Sequence, residues 1–321
     1  MRFDLRHVLI RLLAMVVVCS SGLTFAQSGD PGPPPAPRKV HLPPDTPVKP
    51  YWPEIHLNVL VLDRDKHPQK QLTKSDFQLR QDGAMQPIAS MTAQDSPVSL
   101  GLIIDTSAST QPLRQQTADA AIALVKGLPA GSEVMAVLFA DEGFLDVPFV
   151  PVSAIDPDYV VRHLESRGGT ALFDSLIAAN DYFVTHAHEK RRAMVLISDG
   201  GENSSGHSLN DAAHSMLTPR SPLLYVLGMP NEGGKSTHAG EDRERLKNIA
   251  RVSGGIDYPA KKPEDVLPLA NQISEAIRSQ YALTYTSTDA AQNGQLHKLE
   301  VMVTHGGMQV YGLPQYMAPM P

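Results

Sequence analysis

Val98-Ser99-Leu100-Gly101-Leu102-Ile103-Ile104-Asp105-Thr106-Ser107-Ala108-Ser109 decides how this chain is read. The short apolar run Val98 to Ile104 suits a strand covered on both faces. Such a strand delivers the residues after it to one loop, here the carboxylate of Asp105 and the hydroxyls of Ser107 and Ser109. Those are hard oxygen donors, the kind a small divalent cation such as Mg²⁺ prefers. Asp and Ser recur at such spacings by chance, so the weight of the loop comes from two later segments. Gly168-Gly169-Thr170 and Ile197-Ser198-Asp199-Gly200 have the chemistry and the chain order to complete an ion site.

Outward from this stretch, residues 96–280 alternate strands and helices. Val98–Ile104, Val134–Phe139, Met194–Ile197 and Leu223–Leu227 are short apolar runs, with amphipathic stretches at Pro112–Lys126, Ala171–Thr185, Asp211–Leu217 and Glu241–Val252. Val266, Leu269, Ile273 and Ile277 mark a last helix by their 3-4-4 spacing. This alternation predicts an α/β domain, a doubly wound and mostly parallel sheet between helices. Val147 to Val150 adds an edge strand, where Pro148 is tolerated.

Both flanks read as β. In residues 54–95, Ile55–Leu62 alternates and then turns wholly apolar, Asp63 to Lys66 is a turn, and Phe77–Arg80 alternates again. Gln81-Asp82-Gly83 signals a hairpin, with Pro87 to Met91 as the return strand and no helix in the segment. In residues 281–321, Tyr281–Thr286, Lys298–Thr304 and Met308–Tyr311 read as strands, with turns at Asn293-Gly294 and Gly306-Gly307. Each flank alone leaves an apolar face and strand edges uncovered, so the two are expected to pair into one small β-sandwich interrupted by the α/β domain.

Residues 1–26 have the form of an export signal. Arg2, Arg6 and Arg11 precede an apolar core, Leu12 to Val18, and Thr24-Phe25-Ala26 is a small-residue cleavage site. The uncharged run after Arg11 is shorter than the roughly 20 apolar residues that span a bilayer, so no permanent transmembrane anchor is expected. Lipidation at Cys19 is the alternative, with Val18 where a small residue is wanted. Cys19 is the single cysteine, so a mature chain from Gln27 has neither disulfide nor thiolate chemistry. Export without cysteine fits a periplasm, a cell surface or secretion. Residues 27–53 form a Pro-rich linker, with ten prolines between residues 31 and 53, an extended spacer that packs no core. Removing Arg2, Arg6, Arg11 and Asp4 takes the 28 basic and 34 acidic residues to 25 and 33, a net charge of −8. That balance disfavours nucleic acid and anionic membrane as partners.

Ligands of open α/β sheets gather at the carboxyl ends of the strands. Asp105, Ser107, Ser109, Thr170 and Asp199 are therefore expected around one ion. Two carboxylates and three hydroxyls leave Mg²⁺ with an exchangeable position that an acidic side chain of a partner can fill. These residues resemble the metal-ion-dependent adhesion site of von Willebrand factor A domains, over roughly residues 96 to 280. The resemblance implies that Mg²⁺ (or Mn²⁺ or Ca²⁺) sits on these five residues and that a partner's acid completes its coordination. Gly168 to Asp174 and Leu246 to Gly255 look like further landmarks of that fold. The flanks resemble the exported family related to this domain and described from Acidobacteria, on Ser75-Asp76-Phe77, Asp82-Gly83, Tyr281-Ala282-Leu283-Thr284-Tyr285 and Gln315-Tyr316. Thr110 departs from a frequent methionine and Glu202 from a frequent aspartate, and neither is one of the five expected ligands.

The expected function is thus an exported, non-enzymatic, metal-dependent protein-binding module for adhesion or assembly. Other readings stand beside it. Asp105, Ser107 and Ser109 also suit a turn with a helix N-cap, Thr170 a cap of its own helix, and Asp199-Gly200 an ordinary turn. His207 is the one base for a metal-assisted hydrolase, but no Gly-x-Ser-x-Gly elbow exists, and Ser208 suits a cap of the following helix. His186 and His188, at i and i+2, cannot share an ion on a helix, and a solvated helix end fits them better. Glu241–Arg245 reads as a solvated helix face. A scaffold with an empty ion site is the remaining alternative.

Overall fold

The computed structural model describes residues 54–92, 94–165, 168–230, 238–287 and 294–318. The export signal, the Pro-rich linker and Asn293 lie outside the described residues.

In chain order the elements are β1 (Ile55–Leu62), β2 (Phe77–Gln81), β3 (Ala84–Gln86), β4 (Ile88–Thr92), β5 (Val98–Asp105), α1 (Arg114–Lys126), β6 (Glu133–Phe139), β7 (Gly143–Pro151) and α2 (Leu172–His186). Then follow β8 (Arg191–Ser198), α3 (Leu209–Ser215), β9 (Leu223–Gly228), α4 (Ala239–Val252), β10 (Ile256–Pro259), α5 (Val266–Ser279), β11 (Tyr281–Tyr285), β12 (Leu296–Val303), β13 (Gln309–Tyr311) and β14 (Gln315–Met317).

Six strands form the central sheet, in the order β10-β9-β8-β5-β6-β7. The β5, β6, β8, β9 and β10 pairings are parallel, and only edge strand β7 runs antiparallel, on β6. Pro148 is exposed on β7, near the register shifts at Val134/Ala136 and Ala136/Val137, as a residue without a ladder donor requires. Every residue of β5, β6, β8 and β9 is buried, because helices cover both faces. One core joins Leu100, Leu102 and Ile104 of β5 to α1 and α5. The other joins Ile103 of β5, Met135 of β6 and Met194 of β8 to α2, α3 and α4. Successive residues of one strand thus feed opposite cores, which is why the sequence runs apolar without alternation.

The flanks build two antiparallel sheets, β13-β1-β11-β4 and β14-β12-β2-β3. Each contains strands from before and after the α/β domain: β1 pairs with β11, and β2 with β12. Their facing sides share one core, with Leu57 and Val59 of β1, Leu79 of β2, Leu283 and Tyr285 of β11 and Leu299 of β12. Phe77 meets Tyr281 edge-on across this core, ring centroids 5.3 Å apart. The hairpin after Gln81-Asp82-Gly83 returns earlier than its sequence predicts. Ala84–Gln86 pairs back on β2, and beyond Pro87 the chain crosses to β11 of the other sheet as β4. A 3-10 turn, Lys74–Asp76, lies in a segment read as having no helix.

Candidate metal centre

The central strand order is that of a doubly wound sheet, whose connections reverse direction between its two middle strands, β5 and β8. Asp105 is the last residue of β5, and Asp199 follows the last residue of β8. Both carboxylates therefore emerge at the reversal point, where the loops after the strands splay apart and leave a crevice.

Hydrogen bonds tie the three loops together. Ser198 Oγ donates to Asp105 Oδ2 at 2.6 Å, joining the end of β8 to that of β5. Ala108 N–H donates to the carbonyl of Gly168 at 3.3 Å, joining the first loop to the second. Thr170 N–H donates to Asn203 Oδ1 at 2.8 Å, and its carbonyl accepts from the N–H of Asn203 and of Ser204, joining the second loop to the third. The oxygens nearest a Cβ built on Gly201 are Asp199 Oδ1 at 3.3 Å and Thr170 Oγ1 at 3.5 Å, so these two side chains lie over the same backbone atom.

Within the first loop the donors alternate in direction. Thr106 spends both its N–H and its hydroxyl on the carbonyl of Phe139, below the loop. Asp105 Oδ1 accepts from Ser107 N–H at 2.9 Å, which draws residues 105–107 into a tight turn. Ser107 Oγ and Ser109 Oγ then lie side by side, 3.1 Å apart. Neighbouring oxygens on an octahedral Mg²⁺ with bonds of 2.0–2.1 Å lie about 2.9–3.0 Å apart, so this pair needs little adjustment to share one ion. Ser107 and Thr170 are buried while Ser109 is exposed, so the group runs from the interior to the surface.

Electrostatics favour a cation here. Burial, reinforced by the charge of Asp199, pushes the Asp105 carboxyl up to about 6 despite hydrogen bonds from Ser107 and Ser198. Among the described residues no lysine, arginine or histidine forms an ion pair with Asp105 or Asp199. A buried carboxylate beside a second one, with no protein cation, is costly, and a divalent ion removes that cost.

The cap readings fare differently at each position. Ser107 is the residue before a 3-10 turn, Ala108–Leu113, yet its side chain makes no cap hydrogen bond. Ala171, not Thr170, occupies the N-cap position of α2. The first turn of that helix is instead served by Glu202 and Ser205. Phe173 N–H donates to Glu202 Oε2 at 3.1 Å and to Ser205 Oγ at 3.0 Å, and Glu202 Oε1 accepts from the N–H groups of Ser204 and Ser205. Asn203 and Ser205, and the hydrogen-bonding roles of Ser198 and Glu202, are what sequence reasoning missed. For Glu202, Asn203 and Ser205 the signal was a dense polar run after Asp199, which alone looks like an ordinary loop.

His207 sits apart from these donors, its Nδ1 2.9 Å from Asp174 Oδ1. The Oγ of Ser208 donates to Asp211 Oδ2 and accepts from Asp211 N–H as the N-cap of α3, so no Ser–His pair forms there. The Glu241–Arg245 run is not simply a solvated face. Arg245 donates to the carbonyl of Gly200 and to Asp242 Oδ1 at 2.7 Å, and Arg243 pairs with Asp257. A cluster that sequence reasoning did not single out, Asp63, Asp65 and His67, brings three ligand atoms within 4.8 Å of one another in the turn after β1. Asp63 there accepts from the N–H groups of Asp65 and His67, as a turn-forming aspartate does.

No protein-family model and no curated protein sequence matches this chain. Solved structures similar to it include a von Willebrand factor type A protein from Catenulispora acidiphila, 13% identical with a TM-score of 0.49, over 76% of this chain and 73% of that one. The conserved hypothetical protein BatB from Bacteroides thetaiotaomicron is 20% identical with a TM-score of 0.44, over 57% of this chain and 100% of that one. An aerotolerance-related membrane protein from Bacteroides fragilis is 22% identical with a TM-score of 0.40, over 55% and 98%. At such identities no residue role transfers to this chain. Among the described residues no helix is long and apolar enough to cross a membrane.

Proposed function

We propose that the α/β domain is a metal-ion-dependent protein-binding module of the von Willebrand factor A kind. Ser107 and Ser109 hold Mg²⁺ (or Mn²⁺ or Ca²⁺), Thr170 and Asp199 contribute to its remaining shell, and Asp105 acts through water. When bound, the ion supplies one electrophilic position for an acidic side chain of a partner protein. The observation that carries this reading is the meeting of Asp105 and Asp199 at the strand-order reversal, with no cation among the described residues paired to either. A site with only two carboxylates retains affinity for a third, which a site of four or five would repel.

Binding, not catalysis, is the reading favoured, because the candidate base, His207, is engaged by Asp174, and among the described residues no nucleophile is hydrogen-bonded to it. Turnover of ester or phosphoester substrates, lost with His207→Ala, would reverse that ranking. The charged start and apolar core of residues 2–18 support export, which would place the partner at the cell envelope or outside.

The test is affinity capture from envelope extract on immobilised protein, in Mg²⁺ and in chelator. Capture that chelator removes and that Asp105→Ala abolishes, with the fold retained, is expected. Capture indifferent to both chelator and substitution would contradict the mechanism.

A further inference from the structure

A cleft of about 870 Å³ lies at the junction of the α/β domain and the sandwich, far in sequence from the five ion-site residues. Its volume falls in the range of ligand sites, which favour such junctions. Gly254 to Pro259 line it without a break, and so do Val310 to Gly312. Side chains of a strand alternate between faces, so a cleft lined by all four successive residues of β10 runs along the edge of that strand, not over a face. β10 is the last strand of the central sheet and β13 the last of its own, and among the described residues no strand pairs with the outer edge of either. An open edge with a slot beside it is a template for another extended chain.

Charge selects the occupant. Lys66, Lys247 and Arg251 line the cleft. Of its three acids, Asp257 is held by Arg243, outside the lining, while Glu275 meets Lys70 at 3.1 Å in an exposed pair of little strength. Asp65 alone is uncommitted to a lysine or arginine. Lys247 meets Glu244 at 3.5 Å, an exposed pair of little strength. We propose that this cleft binds an extended acidic segment of a partner protein, which pairs its main chain with the free edge of β10 and sets carboxylates against Lys66, Lys247 and Arg251. The four residues of β10 span about 13 Å at the usual strand rise, enough for about four residues of the partner, to which Pro259 offers only its carbonyl.

The probe is a fluorescein-labelled peptide, Glu-Val-Glu-Val-Glu-Val, followed by anisotropy at low salt with chelator throughout, so that the ion site is silent and its failure is separate from this one. Saturable binding is expected, at least tenfold weaker for the double variant Arg251→Glu/Lys247→Glu. The peptide methylated on the main-chain nitrogens that face β10 is expected to lose binding to the unaltered protein, and a Lys-Val-Lys-Val-Lys-Val peptide not to bind. No saturable binding would overturn the proposal. So would equal binding of every N-methylated peptide, or of a six-residue oligothymidylate, since either would reduce the cleft to a generic polyanion surface.

Discussion

Ser198 Oγ donates to Asp105 Oδ2 at 2.6 Å, a hydrogen bond between two buried groups at the ends of adjacent parallel strands. The same oxygen accepts from the N–H of Gly200, so one hydroxyl fixes the carboxylate of the first loop and the entry to the third. Ser198→Ala leaves that carboxylate oxygen and the Gly200 N–H without their partner. The expected cost is about 1–3 kcal/mol by urea denaturation, with weaker ion binding because Asp105 is no longer held. A change below about 0.5 kcal/mol would mean that the bond does not organise the site.

Gly200 has φ +89°, and a Cβ there would lie 2.4 Å from the carbonyl oxygen of Asp242. Alanine must therefore displace either α4 or the loop that carries Asp199. Gly200→Ala is expected to destabilise the fold by about 1–3 kcal/mol from the backbone alone and to lower ion affinity. Gly201→Ala is the control, since its Cβ meets no backbone atom and only brushes Asp199 Oδ1 at 3.3 Å. Equal stabilities for the two variants would contradict this account.

At the opposite end of β6, burial pushes the Glu133 carboxyl up, but the His188 N–H, the Ser99 hydroxyl and the His188 ring together hold it below its ordinary value of 4.5. A lowered acid stabilises the fold above its unfolded value, and that contribution disappears as pH falls through the folded one. Glu133→Gln is therefore expected to cost about 1–3 kcal/mol at pH 7. The gap to the unaltered protein should narrow only below about pH 4.5. Denaturant melts at pH 7 and at successively lower pH measure it, and a gap independent of pH would refute the assignment.

Arg191 is fully buried, and among the described residues no carboxylate forms an ion pair with it. Its guanidinium donates to the carbonyls of Ser96, Ile277, Arg278 and Gln280, the last three at the carboxyl end of α5, where a helix presents unpaired carbonyls and a negative dipole end. Arg191→Met is expected to cost about 3 kcal/mol or more, because several buried acceptors lose their donor together. A neutral result would show that water replaces the guanidinium.

The central strands were legible because burial on both faces forces continuous apolar runs, as at Met194–Ile197, and the loops that carry Asp105 and Asp199 because each directly follows such a run. β10 and β14 were not legible. They have four and three residues, and their pattern carries no period. The turn at Asp82-Gly83 marks a hairpin, but its three-residue return strand, Ala84–Gln86, is too short to show a period, and Ile88–Thr92 reads as a strand whichever sheet it joins. Arg191 and Arg192 are buried as the first residues of β8, outside the apolar run Met194–Ile197 that marks this strand in the sequence. A charge that is satisfied by main-chain carbonyls leaves no acidic partner in the sequence to reveal it.

The most direct measurement is thermal unfolding of the chelator-treated protein with and without millimolar Mg²⁺, alongside Asp105→Ala. An ion that binds only the folded state raises stability by about 2.7 kcal/mol at a hundred times its dissociation constant. The account predicts a rise in melting temperature for the unaltered protein and none for Asp105→Ala. Identical melting of the unaltered protein with and without the ion would contradict it.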